Sequence, residues 1–263
     1  MPTLRIKTRS PKWYGWLPDL PDHRDLLYAR IAPKIAKLPP KVDLREGCSP
    51  IEDQGQLGSC TANALVGALE FLERKDGVTT FIDLSRLFVY YNERAIEGTV
   101  NDDAGAFLRD GIKSLAKQGA CPEQAWPYKA DKVTFKKKPP TACYPAAKKH
   151  RIISYHRINV VDEMRACLAD GYPFVFGFTV YTSFESPAVA KSGVLNMPKP
   201  KEQMEGGHAV MAVGYTDSQK RFLIRNSWNT DWGTKGYFTM PYAYLADRNL
   251  SDDFWTIRAS EEG

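Results

Sequence analysis

Apolar residues in the first half of the chain recur at three- and four-residue steps, the period of a helix that buries one face. Ala62, Leu65, Ala68, Leu69 and Leu72 keep this step from Ser59 onward, and Gly77 after "ERKD" supplies a stop. A buried helix is therefore expected, with Cys60 in its first turn. The same reading predicts a second helix from Ser85 through "RLFVYYNERAIEG", a third over "AFLRDGIKSLAKQG" closed by Gly119, and a fourth over "VDEMRACLADG" ending at Gly171. Beyond that glycine the period changes. Short apolar or alternating runs rich in Val, Phe, Tyr and Ile follow: "FVFGFTVY", "GHAVMAVGY", "RFLIRNSW", "GYFTMPYAYL" and "DFWTIRA" each predict a strand. A helical front and a strand-rich back describe an α+β protein. Residues 1–40, with "YGWLPDLPDHRDLLYAR", keep neither period and read as an extended arm laid on the body. The expected division is an arm or short pro-segment at 1–40, a mainly helical region at 41–150 and a mainly β region at 151–263.

Composition narrows the class. With 263 residues, 43% hydrophobic and 25% charged, the chain can bury a substantial core and has the make-up of a globular protein. No run approaches the roughly 20 apolar residues that span a bilayer, so no membrane partner is expected. The first residues lack a continuous apolar segment, which predicts a cytoplasmic protein, or one exported without a conventional signal peptide. Five cysteines without a C-x-x-C pair exclude a disulfide scaffold and leave at least one thiol free. A net charge of +5 is mild, and the basic stretch from "FKKKPP" to "AAKKHRI" reads as a solvated loop with no nucleic-acid module beside it. Neither H-E-x-x-H nor a Walker loop occurs, so no metal or other cofactor is expected.

The candidate chemistry centres on "EDQGQLGSCTANA". A cysteine at a helix start has its thiolate favoured by the positive end of the helix dipole and by unpaired N–H groups. Taken alone, such a cysteine reads first as a small buried residue that packs like Ala. His23 and His150 lie in charged segments and His156 in a mixed polar one, which suits surface or structural roles. His208 begins the apolar run "HAVMAVGY" after "EGG", where small residues leave the imidazole approachable. A cysteine far upstream and a histidine far downstream suit a nucleophile and base supplied by two lobes. In "RNSWNTDWGTKGYF", Asn226 could orient His208 under Trp228 and Trp232, since an imidazolium balanced by a thiolate needs only a neutral amide. Alone, the same Asn reads as a turn residue and the Trp pair as core.

Three ordered motifs, "VDLREG" with "IEDQGQLGSCTANA", "GGHAVMAVGY" and "RNSWNTDWGTKGYF", together resemble the papain-like cysteine peptidases over roughly residues 41 to 258. "PDLPDHRD" and "VDLRE" look like the short bacterial members. The resemblance implies a two-lobed papain-like fold, a helical lobe plus a β-barrel-like lobe, with the active site in the cleft between them. It implies a cysteine endopeptidase acting on polypeptides, in which Cys60 is the nucleophile, His208 the base and acid, and Asn226 the orienter. Gln54 and the Cys60 N–H would hold the oxyanion. Trp228 would shield the His–Asn bond and Trp232 would line the leaving-group side. Gly105 and Ala106 of "DDAGAF" would pair with the substrate backbone. Gly207, where a polar residue often precedes the histidine, would widen the adjacent pocket. Substrate preference would be set by the second residue before the cleaved bond, which in this family enters an apolar pocket, and Asp252 and Asp253 would lie near the far wall of that pocket, able to admit a basic side chain. Leu57 and Thr61 depart from the family's cysteine and tryptophan and imply a cleft wall without a disulfide. The arm at 1–40 would run toward the cleft and limit access, in place of a long helical pro-region. Two other readings use the same residues: an acyltransferase or deamidase, and a non-catalytic binding protein on the same scaffold.

Overall fold

The computed structural model describes residues 14–33, 35, 37–78 and 80–260. The arm opens with a two-residue strand, β1 (Trp16–Leu17), and passes through a short 3-10 turn at Tyr28–Arg30. β2 (Lys41–Asp43) follows, and then the helices α1 (Cys60–Lys75) and α2 (Arg86–Glu97). Local chemistry sets the ends of α2: Ser85 Oγ accepts the Phe88 N–H at 3.1 Å, and Gly98 closes the helix with φ 74°. The third predicted helix is shorter than expected. Ala106–Phe107 form the strand β3, and α3 covers only Leu108–Lys117. The cause is non-local, because Trp16 and Leu17 pair in parallel with Ala106 and Phe107.

The basic stretch expected to be a solvated loop folds into α4 (Cys143–Ala147), which anchors itself by burying Cys143 and Ala147. β4 (Ile152–Arg157), which sequence periodicity missed, exposes Ile153 and is defined by its pairing with β9 rather than by its own pattern. The fourth expected helix is α5 (Val161–Ala169). The predicted strands then appear in order as β5 (Phe174–Tyr181), β6 (Met204–Thr216), β7 (Arg221–Arg225), β8 (Tyr237–Pro241) and β9 (Ser251–Ser260). Two short helices, α6 (Pro187–Ser192) and α7 (Tyr242–Ala246), interrupt them.

The large sheet has the order β4-β9-β5-β6-β7-β8, with β2 also paired to β6, and every pairing in it is antiparallel. Both faces of its centre are buried, which explains why β5 and β6 read as continuous apolar runs. On β5, Phe174, Phe176, Phe178 and Val180 enter one core, whereas Val175 enters the other, together with α1, α2 and α3. On β6, Ala209, Met211 and Val213 face the helices, and Val210 and Ala212 face away. The sheet is thus a wall between two cores, and α1 lies along its helical side. Among the described residues, no helix is long and apolar enough to cross a membrane and no group of His, Cys, Asp or Glu could hold a metal ion.

Candidate active site

Cys60 is the first residue of α1 and is fully buried. The backbone N–H groups of Thr61, of Ala209 on β6 and of Gly15 on the arm are directed at its sulfur. Ala209 directly follows His208, so the sulfur meets the β-rich side of the molecule at the predicted histidine. The expectation of a favoured thiolate is corrected here. Burial, the largest influence, pushes the thiol up to about 12, and the three N–H groups offset it only in part.

Asn226 follows β7, and antiparallel pairing of Met211 with Arg225 brings it beside His208. His208 Nε2 lies 2.8 Å from Asn226 Oδ1. The Ser227 N–H also donates to Asn226 Oδ1, at 2.9 Å, which identifies that atom as the oxygen and makes Nε2 the protonated ring nitrogen. Nδ1 is then the basic one. Trp228 lies over the imidazole with ring centroids 4.9 Å apart, and Phe178, Phe184 and Tyr14 complete an aromatic enclosure. Trp232 packs on Trp228 and Phe184 rather than on the histidine. Gln54 is fully buried on the loop before α1. Its Oε1 accepts from Ser227 Oγ at 2.7 Å and Trp228 Nε1 at 3.2 Å, while its Nε2 donates to the Leu57 carbonyl at 2.9 Å. Gln54, Cys60, His208 and Asn226 are thereby gathered into one site from four separate segments.

A family model described as papain family cysteine protease matches residues 38–250. The chain belongs to this family. The peptidase is 45% identical to xylellain, a cysteine protease from Xylella fastidiosa, whose crystal structure it matches with a TM-score of 0.88 over 97% of this chain and 98% of that one. It is 42% identical to a peptidase C1-like protein of Acanthamoeba polyphaga mimivirus, over 93% of this chain and 86% of the viral one. It is also 33% identical to the thiol protease aleurain of Arabidopsis thaliana, over 78% of this chain and 56% of aleurain. The fold is the two-lobed papain-like α+β arrangement.

The arm packs against the residues expected to bind substrate. The Ala106 N–H donates to the Gly15 carbonyl at 2.7 Å, and β1 runs parallel to β3 beside it. Gly15 and Gly105 approach so closely that a Cβ on either would strike the other's segment or Gly58, and Gly105 has φ 76°. Gly207 faces Trp16, and Gly206 faces Tyr14. Gly105, Ala106 and Gly207, the residues expected to bind substrate, therefore all touch the arm.

Beyond Trp16 the arm is held by charge. Arg109 grips Asp25 through Nε at 3.1 Å and Nη2 at 2.7 Å, and Arg157 reaches Asp25, Asp252 and Asp253. Asp19 receives N–H groups from Arg109 and from the Trp255 indole. Asp19 and Asp253 form a buried pair in which burial raises the carboxyl groups above their usual range, with Arg109 and Arg157 opposing it.

The two departures from the family pattern are both buried. Leu57 belongs to the helical core, and all five cysteines are free thiols, so side-chain packing replaces the staple. Thr61 turns into the helical lobe and donates to Glu93 Oε1 at 2.6 Å. His150, placed by sequence in a charged segment, is buried and bonded through Nδ1 to Glu73 at 3.0 Å, because it joins the segment after α4 to α1. Sequence reasoning missed Ser227, which bonds to Asn226 and Gln54 together. It also missed Gly177, although a lone glycine inside an apolar strand signals a close approach, here by the Trp16 ring.

Proposed function

We propose that the chain is an endopeptidase whose nucleophile is Cys60, and that its arm limits access to the site and slows turnover. The observation that carries the catalytic reading is the hydrogen bonding of Asn226. With Oδ1 fixed as acceptor, Nε2 carries the ring proton and Nδ1 is the basic nitrogen that takes the thiol proton. In this reading the Cys60 sulfur gives its proton to Nδ1 and bonds to the scissile carbonyl carbon. The oxyanion is held by the Cys60 N–H and a Gln54 amide N–H. Collapse breaks the C–N bond, and the imidazolium protonates the departing amine. A water, deprotonated by His208, then attacks the thioester, releasing the acid and restoring the thiol. Trp228 keeps water from the His–Asn bond, and Trp232 supports Trp228 along the leaving-group side.

The arm supports inhibition because it meets the nucleophile with the Gly15 N–H rather than a carbonyl carbon, and its carbonyl is engaged by Ala106. The sulfur beneath it is desolvated and protonated. The test is digestion of a denatured protein, with fragments mapped by mass spectrometry. Internal cuts that disappear with Cys60 support the reading, and release of terminal residues alone overturns the endopeptidase assignment.

Gln54→Ala is expected to lower kcat by about 10²–10³-fold with little change in KM, because its donor acts on charge that develops only in the transition state. Steady-state kinetics beside a thermal melt separate this from loss of fold. A KM effect alone would remove Gln54 from the oxyanion site.

The pH dependence of the arm has a definite sign. Docking raises the proton affinity of the Asp19–Asp253 pair, so the docked state binds more protons than the released one. Docking is therefore favoured in acid and weakens as pH rises from about 4 to about 7. Hydrogen exchange at the Ala106 N–H, corrected for intrinsic exchange, is expected to lose protection across that window. Growing protection there contradicts the assignment.

A further inference from the structure

Ser59 stands immediately before α1, where a serine ordinarily caps a helix by accepting an N–H of the first turn. Its side chain accepts none of them. Instead Ser59 Oγ lies 2.5 Å from the Tyr128 hydroxyl, and that hydroxyl donates to the Gln54 carbonyl at 2.8 Å. The directions follow from the proton count. A phenol has one hydrogen to give and a carbonyl can only accept, so Ser59 is the donor in the bond it shares with Tyr128. Ser59 Oγ in turn accepts from Asn63 Nδ2, 3.2 Å away, and the same nitrogen donates to the Ser59 carbonyl at 2.9 Å. One ordered chain of hydrogen bonds thus runs from Asn63 through Ser59 and Tyr128 to Gln54. Ser59 and Gln54, the two residues it joins to Tyr128, are both fully buried. Tyr128 is itself held in place. Arg86 lies over its ring, 4.4 Å from the centroid, and is fixed by Glu52 at 2.6 Å, while the Tyr128 N–H donates to Glu123. Burial pushes the phenol upward, so the hydroxyl remains a donor through the neutral range.

We propose that Tyr128 is a positioning residue for the oxyanion site, its hydroxyl fixing the Gln54 loop against the start of α1. The inference rests on the reading of Gln54 and the Cys60 N–H as the oxyanion donors. The clamp reaches both. One of its bonds falls on the Gln54 backbone, and the other on Ser59, which directly precedes Cys60. The β-rich side holds Gln54 from the opposite direction, through the Gln54 N–H on the Ser227 carbonyl at 2.9 Å and Ser227 Oγ on the Gln54 side chain. Tyr128 ties the same residue to the helical lobe. Because Ser59 turns its hydroxyl to Tyr128 rather than to a cap, the first-turn N–H groups of α1 stay available to the site, and that of Thr61 is directed at the sulfur. Preorganised donors act only where the oxyanion forms, and a displacement of about 1 Å costs about 10²-fold.

The test compares the full-length wild type with Tyr128→Phe, which keeps the ring under Arg86 and removes only the hydroxyl. Its kcat for a peptide is expected to fall by about 10–10²-fold with little change in KM. Alkylation of Cys60 by iodoacetamide, a displacement at saturated carbon that forms no oxyanion, should keep its rate within about twofold. Turnover, as kcat/KM, and alkylation both need a released arm, so their ratio on one enzyme cancels any change in docking. A peptide aldehyde, whose hemithioacetal oxygen enters the oxyanion site, should bind more weakly by about the factor lost from kcat/KM. Ser59→Ala breaks the other bond of the same hydroxyl; it should lower the ratio about tenfold, and it decides the matter if Tyr128→Phe does not fold. A wild-type ratio of turnover to alkylation in the folded variants overturns the clamp. Gln54→Ala, run in parallel, keeps two failures apart. If it loses turnover and the clamp variants do not, only the clamp falls. If it keeps the wild-type kcat, or if the wild type cuts no peptide, the reading beneath falls and this inference with it.

Discussion

Cys60→Ala is expected to reduce peptide turnover by about 10⁵-fold or more while leaving the fold in place. Removal of a nucleophile that acts as one unit with its base costs about as much as removing the whole set. The substitution is mild structurally, because Cys60 packs as a small buried residue at the start of α1 and its sulfur joins no disulfide. The melting temperature should stay within a few degrees, whereas thioester formation should cease. Rapid-quench mass spectrometry with a slow ester substrate reads this directly: an acyl adduct on Cys60 in the wild type and none in the variant. Turnover persisting in Cys60→Ala, or an adduct at Cys48 or Cys121, would remove Cys60 from the mechanism.

Trp16→Ala is the second large effect, and it runs the other way. Truncating a buried tryptophan costs about 3–5 kcal/mol, and the indole also gives up its bond to Asp253. Divided by 1.36 kcal/mol per tenfold, that loss shifts arm docking by roughly two to four decades. Part of it falls on overall stability, so kcat/KM is expected to rise by at least about tenfold. The rate of Cys60 alkylation should rise in step, because releasing the arm restores solvent to a thiol that burial holds protonated. An unchanged alkylation rate with a lowered melting temperature would mean that the arm only stabilises the body.

These two expectations differ in how far they could be read from the chain. Cys60 was recognisable because its helix is local: the apolar step through Leu65, Leu69 and Leu72 needs no distant partner. Ser85 and Gly98 likewise mark the ends of α2 by their own chemistry. The catalytic set was legible only as three motifs in the right order. What joins them is register. Pairing of Met211 with Arg225 sets His208 beside Asn226, and Ser227 then locks both Asn226 and Gln54. The third helix was read as starting two residues too early because Ala106 and Phe107 are claimed by Trp16 and Leu17 from the other end of the chain. β4 was invisible for the same reason, being defined by β9.

The sequence by itself determined the main helices, the strand-rich second half and the identity of the candidate nucleophile, base, orienter and oxyanion donor. The elements depend on periodicity and capping, which neighbours along the chain specify, and the candidate roles on the resemblance of three ordered motifs. The tertiary structure alone decided the state of the site. The helix start favours a thiolate at Cys60, but burial among distant segments raises its proton affinity. Asp253 is an ordinary acidic residue in the sequence until a bulge in β9 brings its carboxylate to the Trp16 indole. Burial and the direction of a buried charge arise from contacts between distant segments, and no local pattern encodes them.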